Sequence, residues 1–248
     1  MAKKKKAAKA RDLQPEGISK EIYFNVRIKC KNEKQKEFLN QLKNENKKIC
    51  FGIGAPGTGK SFISLSYALS AIQEGKYSNI VMVIPTAQAG GADLAIGYLK
   101  GDFNEKTQMF TESDRQTIIK ILNLSSNFSS AEITDELIKT KLIKYEYINF
   151  LLGKTIDDSI ILVNEAEEYT KDNMRLILTR IGENSKIIIT GDSKQVNRKS
   201  IKNNNEECGL TYSASVLADL DEVSITTFDE NDIVRNGLIT KILKKFDA

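Results

Sequence analysis

The feature that most constrains this chain is the eight-residue segment Gly54–Ser61, which reads GAPGTGKS. It fits the pattern G-x-x-x-x-G-K-[ST] of a phosphate-binding loop. Its three glycines permit backbone angles that other residues avoid, so that successive N–H groups can point toward one phosphate. Lys60 is expected to reach the β- and γ-phosphates, and the Ser61 hydroxyl to coordinate Mg²⁺. The predicted nucleotide-binding residues of the loop are Gly54, Ala55, Pro56, Gly57, Thr58, Gly59, Lys60 and Ser61.

The segments on either side of this loop favour a functional site over a glycine-rich turn with a stray lysine. Residues 48–53 form a short apolar run that is typical of a buried strand, and residues 62–72 have helical periodicity. A helix that begins at the loop would direct the positive end of its dipole toward bound phosphates.

Strand and helix patterns alternate along the rest of the chain. Further strands are predicted at 80–84, 159–163, 186–190 and 223–228, with an edge strand at 144–150 and a short strand within 21–29. Helices are predicted from Asn32, across most of 111–142, from Thr170 to Ile181, over 209–218, and in an amphipathic C-terminal segment after Asp232. Residues 85–102 and 197–207 are predicted loops. The alternation predicts one α/β domain with a mainly parallel sheet flanked by helices.

The first residues of the chain form a basic tail. Residues 1–11 carry six lysines and arginines and no acid, whereas the whole chain of 248 residues has a net charge of +4. Residues 1–20 are therefore predicted to be a disordered tail, followed by the folded domain at 21–248. Such a tail can hold nucleic-acid phosphates electrostatically, or it can serve only for solubility. Both interpretations remain open.

Residue usage limits the remaining classes of function. There is no histidine, which excludes histidine-based acid–base and metal chemistry. Three scattered cysteines argue against a disulfide framework or a zinc site, so we expect a reducing cytoplasm. No apolar run approaches the length of a membrane span, and we expect no membrane partner.

Two predicted strands end in acidic segments. The strand at 159–163 runs into Asn-Glu-Ala-Glu at 164–167, and the strand at 186–190 runs into Gly-Asp-Ser-Lys-Gln at 191–195. Ligands of open α/β sheets bind at the carboxyl ends of the strands. We therefore expect Glu165 to position or deprotonate a water molecule, and Asp192 to arrange the metal region together with Ser61. Gln195, in the same segment as Asp192, is also a predicted catalytic residue.

Several stretches in a fixed order resemble the PhoH-like ATPase family, which is related to superfamily 1 helicase cores. They are FGIGAPGTGKS at 51–61, GYLKGDFNEK at 97–106, GKTIDDSIILVNEAEEYT at 153–170, LTRIGENSKIIITGDSKQV at 178–196 and DIVRNGL at 232–238. The likeness covers roughly residues 30–246.

The resemblance implies a RecA-like P-loop NTPase fold, ATP with Mg²⁺ as cofactors, and a homo-oligomer in the form of a hexameric ring. It also implies work on RNA or single-stranded DNA. Gln35 stands at the family's early glutamine, which is expected to read adenine. A helix-capping role is the alternative, since Asn32 and Gln35 have the spacing of a capping box. Arg235 stands at the arginine expected to contact the γ-phosphate, with an ordinary surface arginine as the alternative.

The chain departs from the family at the metal site. The family's aspartate before Glu165 is Asn164 here, and Glu167 replaces the usual glutamine. Asn164 keeps an acceptor oxygen but loses the negative charge, so ATP binding should survive while hydrolysis is weakened.

Three functions follow from these residues. The first is an ATPase coupled to nucleic acid, as a helicase-like motor. The second is a nucleotide-dependent nucleic-acid-binding or scaffold protein that hydrolyses little because of Asn164. The third, a small-molecule kinase, is disfavoured by the GDSKQ segment.

Overall fold

The computed structural model describes residues 24–85, 103–124, 129–194, 208–234 and 245, with the side chains of residues 103–110 left aside. Within these ranges the predicted α/β architecture is confirmed. The predicted tail, the loops at 85–102 (after Pro85) and 197–207, and the C-terminal helix after Val234 fall outside the described residues, apart from Lys245, which is helical.

Six parallel strands form one sheet. They are β1 (Ile49–Gly54), β2 (Asn79–Ile84), β3 (Ile143–Tyr147), β4 (Ser159–Val163), β5 (Lys186–Gly191) and β6 (Val223–Phe228). Their order in the sheet is β3-β2-β4-β5-β1-β6, and every pairing is parallel. The predicted edge strand is confirmed as β3, which begins one residue before the predicted segment and ends at Tyr147, three residues before the predicted end, where a 3-10 helix begins. Since β5 lies between β1 and β4, the carboxyl ends of these three strands stand side by side.

Six α-helices are present in the described part of the chain. They are α1 (Glu33–Lys43), α2 (Lys60–Gln73), α3 (Phe103–Asn123), α4 (Ser130–Lys139), α5 (Lys171–Leu178) and α6 (Gly209–Val216). Three short 3-10 helices follow β3, β4 and β6, at Ile148–Leu151, Ala166–Glu168 and Glu230–Asp232. None of the described helices is both long and apolar enough to cross a membrane.

Alternate residues of the central strands supply two separate cores. On one face, Ile80, Ile160 and Ile188 pack with the apolar residues of α1, α2, α3 and α4. On the other face, Val81 and Ile161 pack with α5 and α6. Because successive side chains of a strand point to opposite faces, an uninterrupted apolar strand requires helices on both sides. This explains why the central strands read as continuous apolar runs in the sequence.

Two predicted boundaries differ from the structure. The strand predicted within 21–29 is wrong for its described part, since residues 24–29 pair with no strand. Phe24 and Val26 are nevertheless buried, because they pack as an irregular segment against the first core. The helix predicted from Thr170 to Ile181 has the expected cap, where Thr170 Oγ1 accepts from Asn173 N, but it ends at Leu178.

Candidate nucleotide-binding site

The segment Gly54–Ser61 forms the turn between β1 and α2, as its glycines predict. Gly54 has φ 137°, and a Cβ atom there would lie 1.9 Å from the carbonyl oxygen of Phe228. Gly59 has φ 88°, and a Cβ there would lie 2.6 Å from Gln35 Nε2. Both positions therefore need glycine for two reasons, the left-handed backbone and the close approach of a neighbouring element.

Lys60 holds its ammonium group within the loop. Its side chain is nearly buried, and Nζ donates to the carbonyl oxygens of Gly54, at 2.6 Å, and Ala55, at 2.8 Å. Lys60 is also the first residue of α2, so its charge lies beside the positive end of that helix. A cation and a helix N-terminus at one loop make a strongly anion-attracting position.

Gln35 ties α1 to the phosphate-binding loop. Its side chain is buried, Nε2 donates to Thr58 O at 2.7 Å, and Oε1 accepts from Lys31 N at 2.7 Å. Asn32 caps α1 by accepting from Gln35 N, but the return half of the predicted capping box goes to Lys31 instead. The adenine-reading role of Gln35 stays a prediction, and the structure gives this side chain a loop-supporting role as well.

The segment after β6 also contacts the loop. Val234 N donates to Gly57 O at 3.0 Å, and Asn32 Nδ2 donates to Asp232 O at 3.0 Å. Two predicted catalytic residues, Gln195 and Arg235, lie outside the described residues. Val234, which contacts the loop, is the residue directly before Arg235 in the chain.

Three oxygen-bearing side chains meet where β1, β5 and β4 end. Thr190 Oγ1 lies 3.4 Å from Ser61 Oγ and donates to Asn164 Oδ1 at 2.9 Å. Two of the predicted metal residues, Ser61 and Asn164, are thus brought together by a threonine to which the sequence assigned no role. The only feature of the sequence that could have indicated Thr190 is its position directly before Gly191-Asp192.

These residues fit a Mg²⁺ ion in chemical type. Mg²⁺ prefers oxygen ligands and is commonly held by few protein groups together with substrate phosphates and water. Among the described residues there is no group of three or more His, Cys, Asp or Glu side chains that could hold a metal ion. Ser61 and Asn164 would be the holding residues, with the nucleotide supplying further oxygens.

Asp192, the third predicted metal residue, is buried in the turn after β5. Its Oδ1 accepts from Lys194 N at 3.0 Å, and its own N–H donates to Glu167 Oε2 at 2.9 Å. The two acidic segments after β4 and β5 are therefore joined through Glu167. Burial, followed by a hydrogen bond with the Glu165 carboxyl, raises the pKa of Glu167 to about 8.

Glu165, the predicted base, has an exposed side chain at the end of β4. Its backbone is left-handed, with φ 49° and ψ 48°. This conformation is unfavourable for a residue with a Cβ and is found disproportionately at functional sites. The chain turns away from β4 immediately after Asn164. The Asn164 side chain therefore contacts Asp114 and Thr190, whereas the next side chain, Glu165, is exposed.

A residue that the sequence did not indicate completes this region. Asp114, on α3, accepts a hydrogen bond from Asn164 Nδ2 at 3.0 Å. Burial raises the pKa of Asp114 to about 6, against the lowering effect of the Asn164 donor, so the group is mostly a carboxylate at neutral pH. No local pattern marks Asp114, because its contact joins residues 50 positions apart.

Comparison with known proteins agrees with the sequence resemblance. Residues 27–247 match the family model described as PhoH-like protein. The chain is 29% identical over 248 residues to the PhoH-like protein of Bacillus subtilis (strain 168), covering all of this chain and 72% of that one. It is 26% identical over 231 residues to Protein PhoH of Escherichia coli (strain K12), covering 93% of this chain and 61% of that one.

A third relative, the PhoH-like protein of Mycobacterium tuberculosis (strain ATCC 25618 / H37Rv), is 26% identical over 219 residues and 58% covered. Among solved structures, the Sulfolobus solfataricus SWI2/SNF2 ATPase core in complex with dsDNA aligns over 82% of this chain and 46% of its own. Its TM-score is 0.39 and its identity 12%, and the fold assignment rests instead on the strand order and the loop. With a RecA-like P-loop NTPase fold and a family match across nearly its whole length, the chain belongs to the PhoH-like protein family.

Proposed function

We propose that this protein is a Mg²⁺-dependent ATPase whose activity is coupled to RNA or single-stranded DNA. The observation that carries the proposal is that the loop lies beside the end of β4. Lys60 Nζ lies within the loop, and Ser61 is linked to Asn164 through Thr190. Glu165 follows Asn164 in the chain. Phosphoryl transfer to water needs a phosphate-binding cation, a metal region and a group that positions the water.

Each residue has a distinct part in this proposal. The Lys60 ammonium leaves its contacts with Gly54 O and Ala55 O for the phosphate oxygens, and it offsets their charge. Glu165 orients or deprotonates the attacking water, which its solvent exposure favours. Bound Mg²⁺ would neutralise charge that develops on the β- and γ-phosphate oxygens. Ser61 and Asn164 would hold it, with Asp192 supporting the neighbouring turn.

The test is ATP turnover with and without RNA or single-stranded DNA, using wild-type protein and Glu165→Gln. We expect nucleic acid to raise wild-type turnover, and Glu165→Gln to lower it roughly a hundredfold or more while ATP still binds. Glu183→Gln is the control, because Glu183 is exposed in the turn before β5, at the opposite end of the sheet. Equal turnover in Glu165→Gln and the wild type would contradict the assigned base.

A second function is favoured by one observation, the neutral Asn164 at the metal region. In this alternative the protein binds ATP and nucleic acid but hydrolyses slowly, so that nucleotide binding serves as a switch for a scaffold. Tight ATP binding together with turnover no faster in the wild type than in Glu165→Gln would favour the alternative over the ATPase.

A further inference from the structure

Asn164 is neutral, but a half-buried carboxylate, that of Asp114, lies directly beside it. Four acidic side chains lie in the described part of this region, and three of them have other surroundings. Asp192 accepts from Lys194 N, Glu167 accepts from Asp192 N, and Glu165 is exposed. Asp114 alone among these four accepts its hydrogen bond from Asn164.

The contacts form a chain that reaches the loop. Asn164 Nδ2 donates to Asp114 Oδ1 at 3.0 Å, and Asn164 Oδ1 accepts from Thr190 Oγ1 at 2.9 Å. Thr190 Oγ1 is in turn 3.4 Å from Ser61 Oγ. The nitrogen and oxygen of an amide point in different directions from one carbon, so the carboxylate that accepts from the NH₂ group orients the oxygen toward Thr190.

We propose that Asp114 is a positioning residue of the metal region, which orients the Asn164 oxygen and supplies the negative charge that Asn164 lacks. The carboxylate thus lies on α3 rather than at the end of β4, and the Asn164 amide links it to the oxygen that accepts from Thr190. This inference rests on the proposed Mg²⁺–ATP site and deepens it. Partners of metal-ligand side chains commonly set ligand orientation and basicity in this way.

The helix that carries Asp114 is docked by other contacts. Ile118, Ile121 and Leu122 of α3 are buried in the first core. Arg115 donates to the Asp135 carboxylate of α4, at 2.8 Å from Nη2 to Oδ1. Asp114 is therefore not needed to hold α3 in place, and a change confined to its charge should leave the fold intact.

The first variant is Asp114→Asn, which can keep a hydrogen bond to Asn164 through its own amide oxygen but has no charge. Binding of a non-hydrolysable ATP analogue is measured in EDTA and across a Mg²⁺ titration. We expect the Mg²⁺ midpoint to rise roughly tenfold to a hundredfold, with little change in EDTA. Asp135→Asn is the matched control, since it removes a carboxylate that bonds to α3 away from the site, and its midpoint should equal that of the wild type.

The second variant exchanges the two groups. In N164D/D114N the strand end carries the carboxylate and α3 the amide, so one hydrogen bond and one charge are kept. We expect this double variant to recover the wild-type Mg²⁺ midpoint within about threefold, against the tenfold or greater loss of the single variant. Because the pair remains complementary, the double variant also decides the matter if Asp114→Asn fails to fold.

Three results would contradict the proposal, and either of the first two would overturn it alone. One is an Asp114→Asn midpoint equal to the wild type, and the other is an equal loss in Asp135→Asn, which would indicate a general effect of helix docking. A double variant without recovery would also count against it. Failure of the proposed function is distinguishable, because wild-type protein would then bind no ATP analogue in either EDTA or Mg²⁺.

Discussion

At the scale of single residues, we expect nucleotide affinity to depend most directly on Lys60. In the structure its ammonium donates to two loop carbonyls, and phosphate oxygens must replace these neutral acceptors. We expect Lys60→Ala to weaken ATP binding by about 1.5–3 kcal/mol, or roughly tenfold to a hundredfold, as measured by calorimetry.

The matched control for Lys60 is Lys48→Ala, which removes the same charge. Lys48 is exposed just before β1, at the end of the strand opposite the loop. The ATP affinity of Lys48→Ala should equal that of the wild type. Unchanged affinity in Lys60→Ala would exclude the loop as the binding site.

We expect Glu167 to make the stability of this protein depend on pH. The ordinary pKa of 4.5 applies in the unfolded chain, and burial raises the folded value to about 8. Between these values the unfolded state loses a proton that the folded state retains, so this group's contribution to stability falls as the pH rises from about 5 to 8.

We expect Glu167→Gln to remove that part of the pH dependence, because a Gln oxygen can still accept from Asp192 N but does not ionise. Thermal unfolding without nucleotide should show the variant gaining stability over the wild type toward pH 8. Each kcal/mol gained corresponds to roughly 2–4 °C in Tm. The exposed Glu183→Gln should follow the wild-type profile, and parallel Tm–pH curves for Glu167→Gln and the wild type would contradict the assignment.

At the scale of elements, α1 is joined to the loop at one end and to the sheet at the other. At the loop end, Gln35 donates to Thr58 O. At the other end, the buried Lys186 of β5 donates through Nζ to Leu42 O, at 2.5 Å, and Asn44 O, at 2.9 Å. Burial lowers the pKa of Lys186, and the two carbonyl acceptors compensate for that burial.

We expect Lys186→Met to destabilise the protein by about 2 kcal/mol, because the methionine keeps the apolar stem but removes the side-chain donor from Leu42 O and Asn44 O. Asn44 O then keeps only its hydrogen bond from Lys47 N. Urea unfolding measures the change. ATP affinity should hold, since Lys186 begins β5 and the loop lies at the carboxyl end of the sheet. Lys48→Met, at an exposed position, should change stability by less than about 0.5 kcal/mol. A variant as stable as the wild type would show that the carbonyls find other partners.

At the scale of the whole molecule, the basic tail is proposed to contact nucleic acid outside the nucleotide site. Removing residues 2–11 takes away six positive charges. We expect weaker binding to single-stranded nucleic acid, and a salt slope shallower by up to about four, since each phosphate contact contributes roughly 0.7. A full-length variant with these six residues changed to Gln separates the effect of charge from the effect of length. An unchanged salt slope of nucleic-acid binding would indicate that the tail serves only for solubility.

Assembly is the second prediction at this scale. A ring of subunits with Arg235 of one copy beside the nucleotide of the next would share each active site between two chains. Mixing Arg235→Ala with Glu165→Gln protein should then restore part of the lost turnover, because some interfaces combine two intact halves. Each variant alone serves as the control, and a mixed oligomer without any recovery would argue for sites contained within one subunit.

The sequence by itself determined the loop, the strands and the helices on either side. Glycine spacing defines a phosphate-binding turn because few other residues adopt the φ of Gly54 or Gly59. Uninterrupted apolar runs define buried parallel strands because both of their faces are covered. Glycine spacing and apolar runs are local signals, so they can be recognised without knowing which strands become neighbours.

Only the tertiary structure decided which side chains meet. Asn164 contacts Asp114 and Thr190, which are 50 and 26 residues away, and Gln35 reaches the loop across 23 residues. These contacts depend on the order β4-β5-β1 and on how α3 packs, neither of which has a periodic signature in the chain. From the sequence, Asn164 is a loss of charge at the metal region. In the fold it is one half of a pair with a carboxylate, because the packing of α3 brings Asp114 within hydrogen-bonding distance of the strand end.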